Sequence, residues 1–178
     1  MAKLRKAVAY RRLERPYTRK SKYKSKMYVR GTPHIKLVRF EHGDKKREYE
    51  CHILLVAKDS LQVRQEALES MRMTANRVFE KFVGKSQFFF RLRVYPFHIL
   101  RENPLAAGAG ADRMSTGMQK AFGKPIGVAA QVKTGKILAD AFVNKENEDR
   151  AKSALDKGSK KLPGGWRVVT QAWKGKVI

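Results

Sequence analysis

The sequence predicts an α+β fold with two layers, formed by strands and helices of a single domain. Residues 88–95 alternate between apolar side chains and a row of arginines and aromatics, which is typical of a strand. Apolar residues recur at spacings of three and four from Val63 to Phe82, which is typical of an amphipathic helix. The elements follow the order strand, strand, helix, strand twice along the chain, and this order indicates an α+β domain.

The charge of the chain indicates a polyanionic partner. Among its 178 residues, 40 are Lys or Arg and 16 are Asp or Glu, which gives a formal net charge of +24. Self-repulsion of this size destabilises a compact fold, whereas binding to a polyanion removes it and releases condensed counterions. Nucleic acid is the abundant candidate, and an anionic membrane surface is the other. Because 42% of the residues are hydrophobic, a core can form and disorder throughout is not expected.

The sequence predicts neither a membrane span nor a secretory signal. Its longest apolar runs, such as Ile53–Ala57, are far shorter than the ~20 residues that cross a bilayer. The first residues are basic and no apolar stretch follows them, so a cytoplasmic location is expected. An Arg-rich, acid-poor beginning also fits an organellar transit peptide, so an organellar location remains an alternative. The single cysteine, Cys51, permits no internal disulfide.

A basic N-terminal arm is predicted at residues 1–33. Its first thirty residues contain twelve Lys or Arg and one acidic residue, Glu14. A solvated tail or a localisation signal is the simple explanation of such a run. Four tyrosines are interleaved with the charges, namely Tyr10, Tyr17, Tyr23 and Tyr28. They favour an arm that becomes ordered on RNA, because aromatic rings stack on unpaired bases. The arm residues predicted to bind nucleic acid are Lys3, Arg5, Lys6, Tyr10, Arg11, Arg12, Arg15, Tyr17, Arg19, Lys20, Lys22, Tyr23, Lys24, Lys26 and Arg30.

Two strands and a long helix open the folded domain, which we place at residues 34–173. The strands are predicted at His34–Glu41 and Arg47–Ala57, with a turn at residues 42–46. For the helix, Asp59 or Ser60 is expected to cap the N-terminus, Gln62 stands where a capping box requires it, and Gly84 marks the end. Its apolar stripe, which we interpret as core packing and not as a cofactor site, comprises Val63, Ala67, Met71, Ala75, Val78, Phe79 and Phe82.

A third strand, Phe88–Tyr95, is predicted to have one core face and one basic face. Phe88, Phe90, Leu92 and Val94 form the first face. The second face carries Arg91 and Arg93 between aromatics, and we predict that these two arginines bind nucleic acid from the folded core. The remaining predicted elements are the strands Ile126–Val132, Ile137–Val143 and Trp166–Trp173, a helix over residues 147–162, and a C-terminal tail at residues 174–178.

Residues 101–125 are predicted to form a long loop between two strands. An aperiodic segment of this length in a compact domain is usually functional or disordered. Its glycines permit positive φ angles and close approach to another surface, and its basic residues Arg113, Lys120 and Lys124 suit phosphate contacts. A nucleotide-binding loop is disfavoured, because Arg113 occupies the third glycine position of the GxGxxG pattern that starts at Gly108. A mobile surface loop without a role remains an alternative.

The sequence predicts no enzyme, cofactor, metal site or small-molecule substrate. The four histidines, His34, His42, His52 and His98, are scattered, and no metal-ligand spacing is present. Asp112 and Arg113 fit an isolated catalytic pair, but they fit a salt bridge or an RNA contact equally well. An RNA-processing enzyme and a chromatin-like DNA-binding protein therefore remain as alternatives to a structural RNA-binding protein.

Residues 110–125, GADRMSTGMQKAFGKP, carry a resemblance to a known family. They resemble the signature loop of the large-subunit ribosomal protein called L ten-e in archaea and eukaryotes and L sixteen in bacteria. The resemblance continues at residues 15–19, 66–69, 93–98 and 160–164, so it covers nearly the whole chain. The short C-terminal end favours the archaeal branch.

The resemblance implies an α/β hammerhead fold and a structural role in the large ribosomal subunit. Family members pack into large-subunit rRNA near the base of the central protuberance, contact neighbouring ribosomal proteins, join late in assembly and perform no chemistry. Residues 105–124 would then point towards the peptidyl-transferase region and the acceptor ends of tRNA, on ribosomes in the cytoplasm. The tRNA-proximal residues implied are Gly108, Gly110, Asp112, Arg113, Met114, Gly117, Lys120, Gly123 and Lys124.

Overall fold

The computed structural model describes residues 6–106 and 108–177, and it confirms an α+β fold, with two antiparallel sheets. In this part of the chain the strands are β1 (Glu41–Gly43), β2 (Glu48–Ala57), β3 (Leu61–Arg64), β4 (Phe88–Leu92), β5 (His98–Glu102), β6 (Lys124–Val132), β7 (Ile137–Val143) and β8 (Trp166–Lys176). The α-helices are α1 (Gln65–Phe82), α2 (Ala111–Met114) and α3 (Glu148–Ser159), and short 3-10 turns lie at Ala7–Tyr10, Lys24–Lys26, Gly117–Lys120 and Lys145–Asn147. Of the helices formed by the described residues, none combines the length and the apolar character that crossing a bilayer requires.

The larger sheet has the strand order β1-β4-β7-β2-β8, and α1 and α3 cover one of its faces. Ile53 and Leu55 of β2 point to this face, as do Phe88 and Phe90 of β4, and all four are buried. The predicted core face of the third strand is therefore confirmed. The main hydrophobic core lies between this sheet and the two helices.

The two long helices pack closely because their facing residues are small. A Cβ atom added to Gly158 of α3 would lie 3.4 Å from the Cβ of Ala75 and 3.4 Å from the Cγ of Met71, both in α1. Met71, Ala75 and Phe79 of the predicted stripe are buried, which confirms that this stripe is core packing, whereas Phe82 at the end of α1 is exposed.

The outer face of the five-stranded sheet carries a second, smaller hydrophobic cluster. Tyr49, Phe89, Phe142 and Val177 are buried there, with Trp173 packed against them. Phe89 lies on the face of β4 that was predicted to be basic, but it is buried, because Val177 near the end of the chain belongs to the same cluster. Strand β8 pairs with β2 as far as Lys176, opposite Glu48. Residues 174–176 thus extend the sheet instead of starting a separate tail.

The smaller sheet has the order β3-β6-β5, and two of the segments that connect it to the larger sheet lie side by side. The chain passes between the sheets after Ala57 and again after Val132. The amide of Gly135 donates to the carbonyl of Ala57 at 2.9 Å, and the amide of Thr134 donates to Ser60 Oγ at 3.0 Å. The two strands predicted on either side of residues 133–136 are both present, as β6 and β7. They belong to different sheets, because the chain passes from one sheet to the other between them.

The predicted first strand and the predicted helix start were wrong. Residues 34–40 are not a strand, and β1 occupies three residues, Glu41–Gly43, that include part of the predicted turn. The helix begins at Gln65 and not near Asp59, because Leu61–Arg64 pair with β6 and their backbone groups are used in the sheet. Val63 therefore belongs to β3. The capping-box pattern in this segment is coincidental, since Gln62 lies in a strand.

Strand β5 was missed, and its end falls inside the predicted loop. Arg101 pairs with Pro125 and Glu102 with Lys124, so both ends of the loop are strand-paired. The irregular part is shorter than predicted and contains α2 and a 3-10 turn. Charged residues at the end of a short strand weaken its alternating pattern, which is why periodicity did not reveal it.

Candidate nucleic-acid interface

The basic arm lies on the smaller sheet and does not form a separate segment. Tyr10 is 6% exposed and packs against Leu100, Ala129 and Ile126. Val29, at the other end of the arm, is also buried, against Ile99 and Val128. The prediction that Tyr10 stacks on a base was therefore wrong, because its ring is part of the core. The side chains of Tyr17, Tyr23 and Tyr28 are exposed.

Two glutamines of the smaller sheet hold the backbone of the arm. Gln62 Nε2 donates to the carbonyl oxygens of Tyr10 and Arg12 at 3.1 Å and 2.5 Å, and its backbone amide donates to Arg11 at 2.8 Å. Gln131 Nε2 donates to the carbonyl of Glu14 at 2.7 Å. Sequence reasoning missed both glutamines. A polar side chain among the apolar residues of a strand was the available signal, and for Gln62 it was taken as part of a capping box with Asp59.

This docking directs the charged side chains of the arm outwards. With the backbone and Tyr10 turned towards the sheet, the described basic residues predicted to bind nucleic acid are all exposed, namely Lys6, Arg11, Arg12, Arg15, Arg19, Lys20, Lys22, Lys24, Lys26 and Arg30. The ammonium groups of Lys22 and Lys26 lie 5.3 Å and 5.9 Å from the ring centroid of Tyr23. Lys3 and Arg5 lie outside the described residues.

The loop between β5 and β6 depends on glycines for its path. Four glycines of the loop have positive φ angles, which residues with a side chain rarely adopt. The values are +112° at Gly108, +82° at Gly110, +57° at Gly117 and +74° at Gly123. The conformational role predicted for these glycines is confirmed. At Gly123 an added Cβ would also collide with the backbone of Glu102, 2.5 Å away, so this glycine is required by a close approach.

The loop presents its basic residues to solvent. Arg113, Lys120 and Lys124 are exposed, while Asp112 and Met114 lie in α2. Asn103 Nδ2 donates to the carbonyl of Gly117 at 2.9 Å and attaches the 3-10 turn to the base of the loop. The loop is thus an ordered connection between two strands of the smaller sheet, and it exposes three basic side chains.

Arg101 connects the loop to the arm. One terminal nitrogen donates to the carbonyl of Gly123 at 3.1 Å, and the other donates to the carbonyl of Tyr28 at 2.6 Å. The rings of Tyr17 and Tyr28 lie 5.5 Å and 6.4 Å from that of Phe122. Burial lowers the pKa of Arg101, yet a guanidinium keeps its charge at physiological pH. Sequence reasoning placed Arg101 at the loop boundary without a role.

Arg91 and Arg93, the predicted basic residues of the folded core, share a buried carboxylate. Arg91 contacts Asp140 at 3.0 Å and Arg93 contacts it at 3.7 Å, and the Asp140 side chain is fully buried. His52 lies 3.5 Å from the same carboxylate. Burial alone would raise the pKa of Asp140, but the contacts from His52 and the two arginines outweigh it and the pKa is lowered. Arg91 is therefore largely engaged within the protein, whereas the side chain of Arg93 is 43% exposed.

Among the described residues, no group of three or more His, Cys, Asp or Glu side chains is arranged to hold a metal ion. His98 is buried, and burial lowers its pKa, so it is held neutral beneath the surface. The chemistry that this surface offers is attraction of phosphates by cations and contact of bases by exposed rings.

A family model described as ribosomal protein L16p/L10e matches residues 14–169. The chain is 41% identical over 165 residues to the large ribosomal subunit protein uL16 of Archaeoglobus fulgidus, an alignment that covers 93% of this chain and 91% of that protein. The chain belongs to the ribosomal protein L16p/L10e family. It is also 43% identical to the proteins of the same name from Staphylothermus marinus and Methanococcus maripaludis, over 159 and 176 residues. These alignments cover 89% and 98% of this chain and 88% and 97% of the relatives.

Membership of the L16p/L10e family confirms the resemblance seen in residues 110–125, and the archaeal relatives agree with the archaeal branch. The match contains the smaller sheet, the loop with Arg101 and Phe122, and the larger sheet up to residue 169 within β8. The arm enters it at Glu14, so Tyr10 and the carbonyls that Gln62 binds lie just outside the matched residues.

Proposed function

We propose that this chain is a structural constituent of the large ribosomal subunit that binds large-subunit rRNA and performs no chemistry. Family membership supports this proposal, and so do the relatives, which are named as large-subunit proteins. The observation that carries the RNA-binding part is the docked arm, whose exposed cations are held on a rigid sheet. Ordered cations bind phosphates at a lower entropic cost than a flexible tail does.

The loop and the arm then form one RNA-binding unit on the smaller sheet. Arg101 ties the arm at Tyr28 to the loop at Gly123, so the two elements keep a constant relative position. In the α/β hammerhead arrangement that the family resemblance implies, the folded core embeds in rRNA near the base of the central protuberance. The loop, residues 105–124, extends towards the acceptor ends of tRNA. Supporting late assembly of the subunit and translation is part of the same proposal, as are contacts with neighbouring ribosomal proteins.

The experiment for this function is sedimentation of a cell lysate through a sucrose gradient, before and after a high-salt wash. Co-migration of the chain with large subunits and intact ribosomes in the cytoplasmic fraction, resistant to moderate salt, is expected of a stoichiometric component. A chain that stays at the top of the gradient in both conditions would contradict the proposal.

The two alternative functions make different predictions. An RNA-processing enzyme would turn over an RNA substrate and lose this activity when Asp112 or His98 is replaced. The burial of His98 argues against a role in which it touches a substrate. A DNA-binding protein would bind duplex DNA and structured RNA equally at physiological salt, whereas we expect structured RNA to compete better.

A further inference from the structure

The segment that links β4 to β5 exposes two aromatic rings. Val94 and Pro96 of this segment and His98 at the start of β5 are buried, and the alternation turns the side chains between them outwards. Tyr95 is 40% exposed and Phe97 is 74% exposed. The amide of Phe97 donates to the carbonyl of Tyr95 at 3.0 Å, and this tight turn brings the two ring centroids within 4.5 Å. Tyr95 is supported from behind by Phe40, which stacks on it at 5.4 Å.

This aromatic pair forms a ridge between two clefts beside the arm. The first cleft has a volume of about 480 Å³ and is lined in part by Lys20 and Thr32. The second has a volume of about 360 Å³ and is lined in part by Arg93 and Lys136. Thr18 and the two rings line both clefts. Each volume lies in the range of roughly 300–1,000 Å³ that is typical of sites for small organic groups.

The electrostatic character of the ridge is positive on both sides. Lys20 lies on one side, Arg93 and Lys136 lie on the other, and no Asp or Glu is among the described residues that line either cleft. Asp140 lies 3.7 Å from Arg93, but it also pairs with Arg91. Together, the two arginines and this one carboxylate have a net positive charge. An aromatic ridge between cations resembles the surfaces that bind single-stranded nucleic acid, where bases stack on rings and phosphates contact Lys or Arg.

We propose that Tyr95 and Phe97 form a stacking platform for an unpaired RNA base, with its flanking phosphates bound by Lys20 on one side and by Arg93 and Lys136 on the other. This inference rests on the proposed function, because the RNA that the chain binds supplies the base. An apolar protein segment on the ridge would remove water from these cations without neutralising them, which is costly. A base with its flanking phosphates, in contrast, covers the ring and neutralises the cations at the same time.

The test compares a single-stranded RNA of eight mixed nucleotides with the duplex of the same sequence, by fluorescence anisotropy at constant salt. Replacing the ring in Phe97→Leu keeps apolar volume and removes the stacking face. We expect single-strand binding by the variant to weaken about tenfold, in line with a stacking contribution of ~1–3 kcal/mol per base. Duplex binding should be unchanged, and Phe97→Trp should retain single-strand binding.

Phe82→Leu is the matched control. Phe82 is also an exposed phenylalanine with nearby lysines, since Lys81 and Lys157 lie 5.3 Å and 5.7 Å from its ring, but it belongs to the helical layer. This control should bind both RNAs like the parent protein. Equal weakening by both leucine variants, or none by Phe97→Leu, would overturn the platform while leaving RNA binding intact. A parent protein that binds neither RNA would overturn the platform together with the proposed function.

A photoreactive benzophenone amino acid at position 97 identifies the occupant in assembled ribosomes. Irradiation should yield a crosslink to rRNA, which mass spectrometry of nuclease digests would locate at an unpaired nucleotide. A crosslink to a ribosomal protein, or to a base-paired nucleotide, would contradict the proposal.

Discussion

The guanidinium carbon of Arg101 lies 4.1 Å from the ring centroid of Phe122, at the point where the arm and the loop meet. The same side chain donates hydrogen bonds to the carbonyls of Tyr28 and Gly123. These carbonyls belong to segments far apart in sequence, so Arg101 couples their positions.

Replacing Arg101 with lysine should loosen the arm and the loop together. Arg101→Lys keeps the charge but loses the planar fork that reaches both carbonyls, and we expect a destabilisation of about 1–3 kcal/mol. Hydrogen exchange should become faster in residues 26–30 and in residues 117–124. The control is Arg167→Lys, at an exposed position of β8. Faster exchange in one segment alone would show that Arg101 does not couple them.

Replacing Gln62 with leucine should release the arm from the smaller sheet. Gln62→Leu removes the side-chain donor to Tyr10 and Arg12 and leaves their carbonyls without it, at a cost of about 1–3 kcal/mol. Limited trypsin digestion should then cleave near Arg11 and Arg12 several times faster, as measured by mass spectrometry. Gln119→Leu, at an exposed loop position, should leave the cleavage rate unchanged. Equal rates in all three proteins would contradict a docked arm.

Replacing Asp140 with asparagine should destabilise the fold in a pH-dependent manner. Asp140→Asn leaves Arg91 and Arg93 without their shared anion, and because both arginines reach solvent we expect a cost of about 1–3 kcal/mol. Because the folded-state pKa of Asp140 lies below its ordinary value of 3.8, the carboxylate stabilises the fold above that pH. This contribution is lost as the pH falls through the lower, folded-state pKa.

Urea unfolding of the parent protein and of Asp140→Asn, at a series of pH values from 7 to 3, measures this effect. The difference in free energy of unfolding should be constant near neutral pH and should shrink below about pH 4. A difference that grows on acidification would have the wrong sign for a carboxylate with a lowered pKa.

Two glycine variants should separate backbone strain from steric collision in the loop. Gly108→Ala introduces a side chain at a positive φ with no atom within 4 Å, so it should cost about 1–2 kcal/mol. Gly123→Ala adds a collision with the backbone of Glu102 and should cost clearly more. Thermal unfolding of both variants tests this order, and equal losses would show that the approach at Gly123 relaxes easily.

Replacing Arg113 with alanine should slow translation while incorporation into subunits stays near normal. Arg113 is exposed in the loop, so its loss removes one cation and leaves the core unchanged. Polysome profiles and reporter synthesis in cells that depend on the variant give the two measurements. Arg77→Ala, an exposed position of α1, is the control. Translation at the parent rate by Arg113→Ala would remove the functional role proposed for this residue.

The amino-acid sequence was sufficient to predict the class of the fold and a polyanionic partner. Strong local periodicity predicted α1, β4 and the body of β2, because the apolar residues of a buried face recur at the spacing of a helix or a strand. The excess of 24 positive charges predicted a polyanion, since charge needs no structure to be counted. The residues 110–125 indicated the family, which the comparisons confirmed.

The contacts between distant segments followed from the tertiary structure and not from local sequence patterns. Gln62 has the spacing of a capping-box residue relative to Asp59 but lies in a strand, where its backbone pairs with β6. Tyr10 was predicted to stack on bases, but its ring is part of the hydrophobic core. Arg101 has its role because it binds carbonyl groups 73 and 22 residues away in the sequence. Such contacts depend on which surfaces meet after folding, and no local pattern of side chains encodes them.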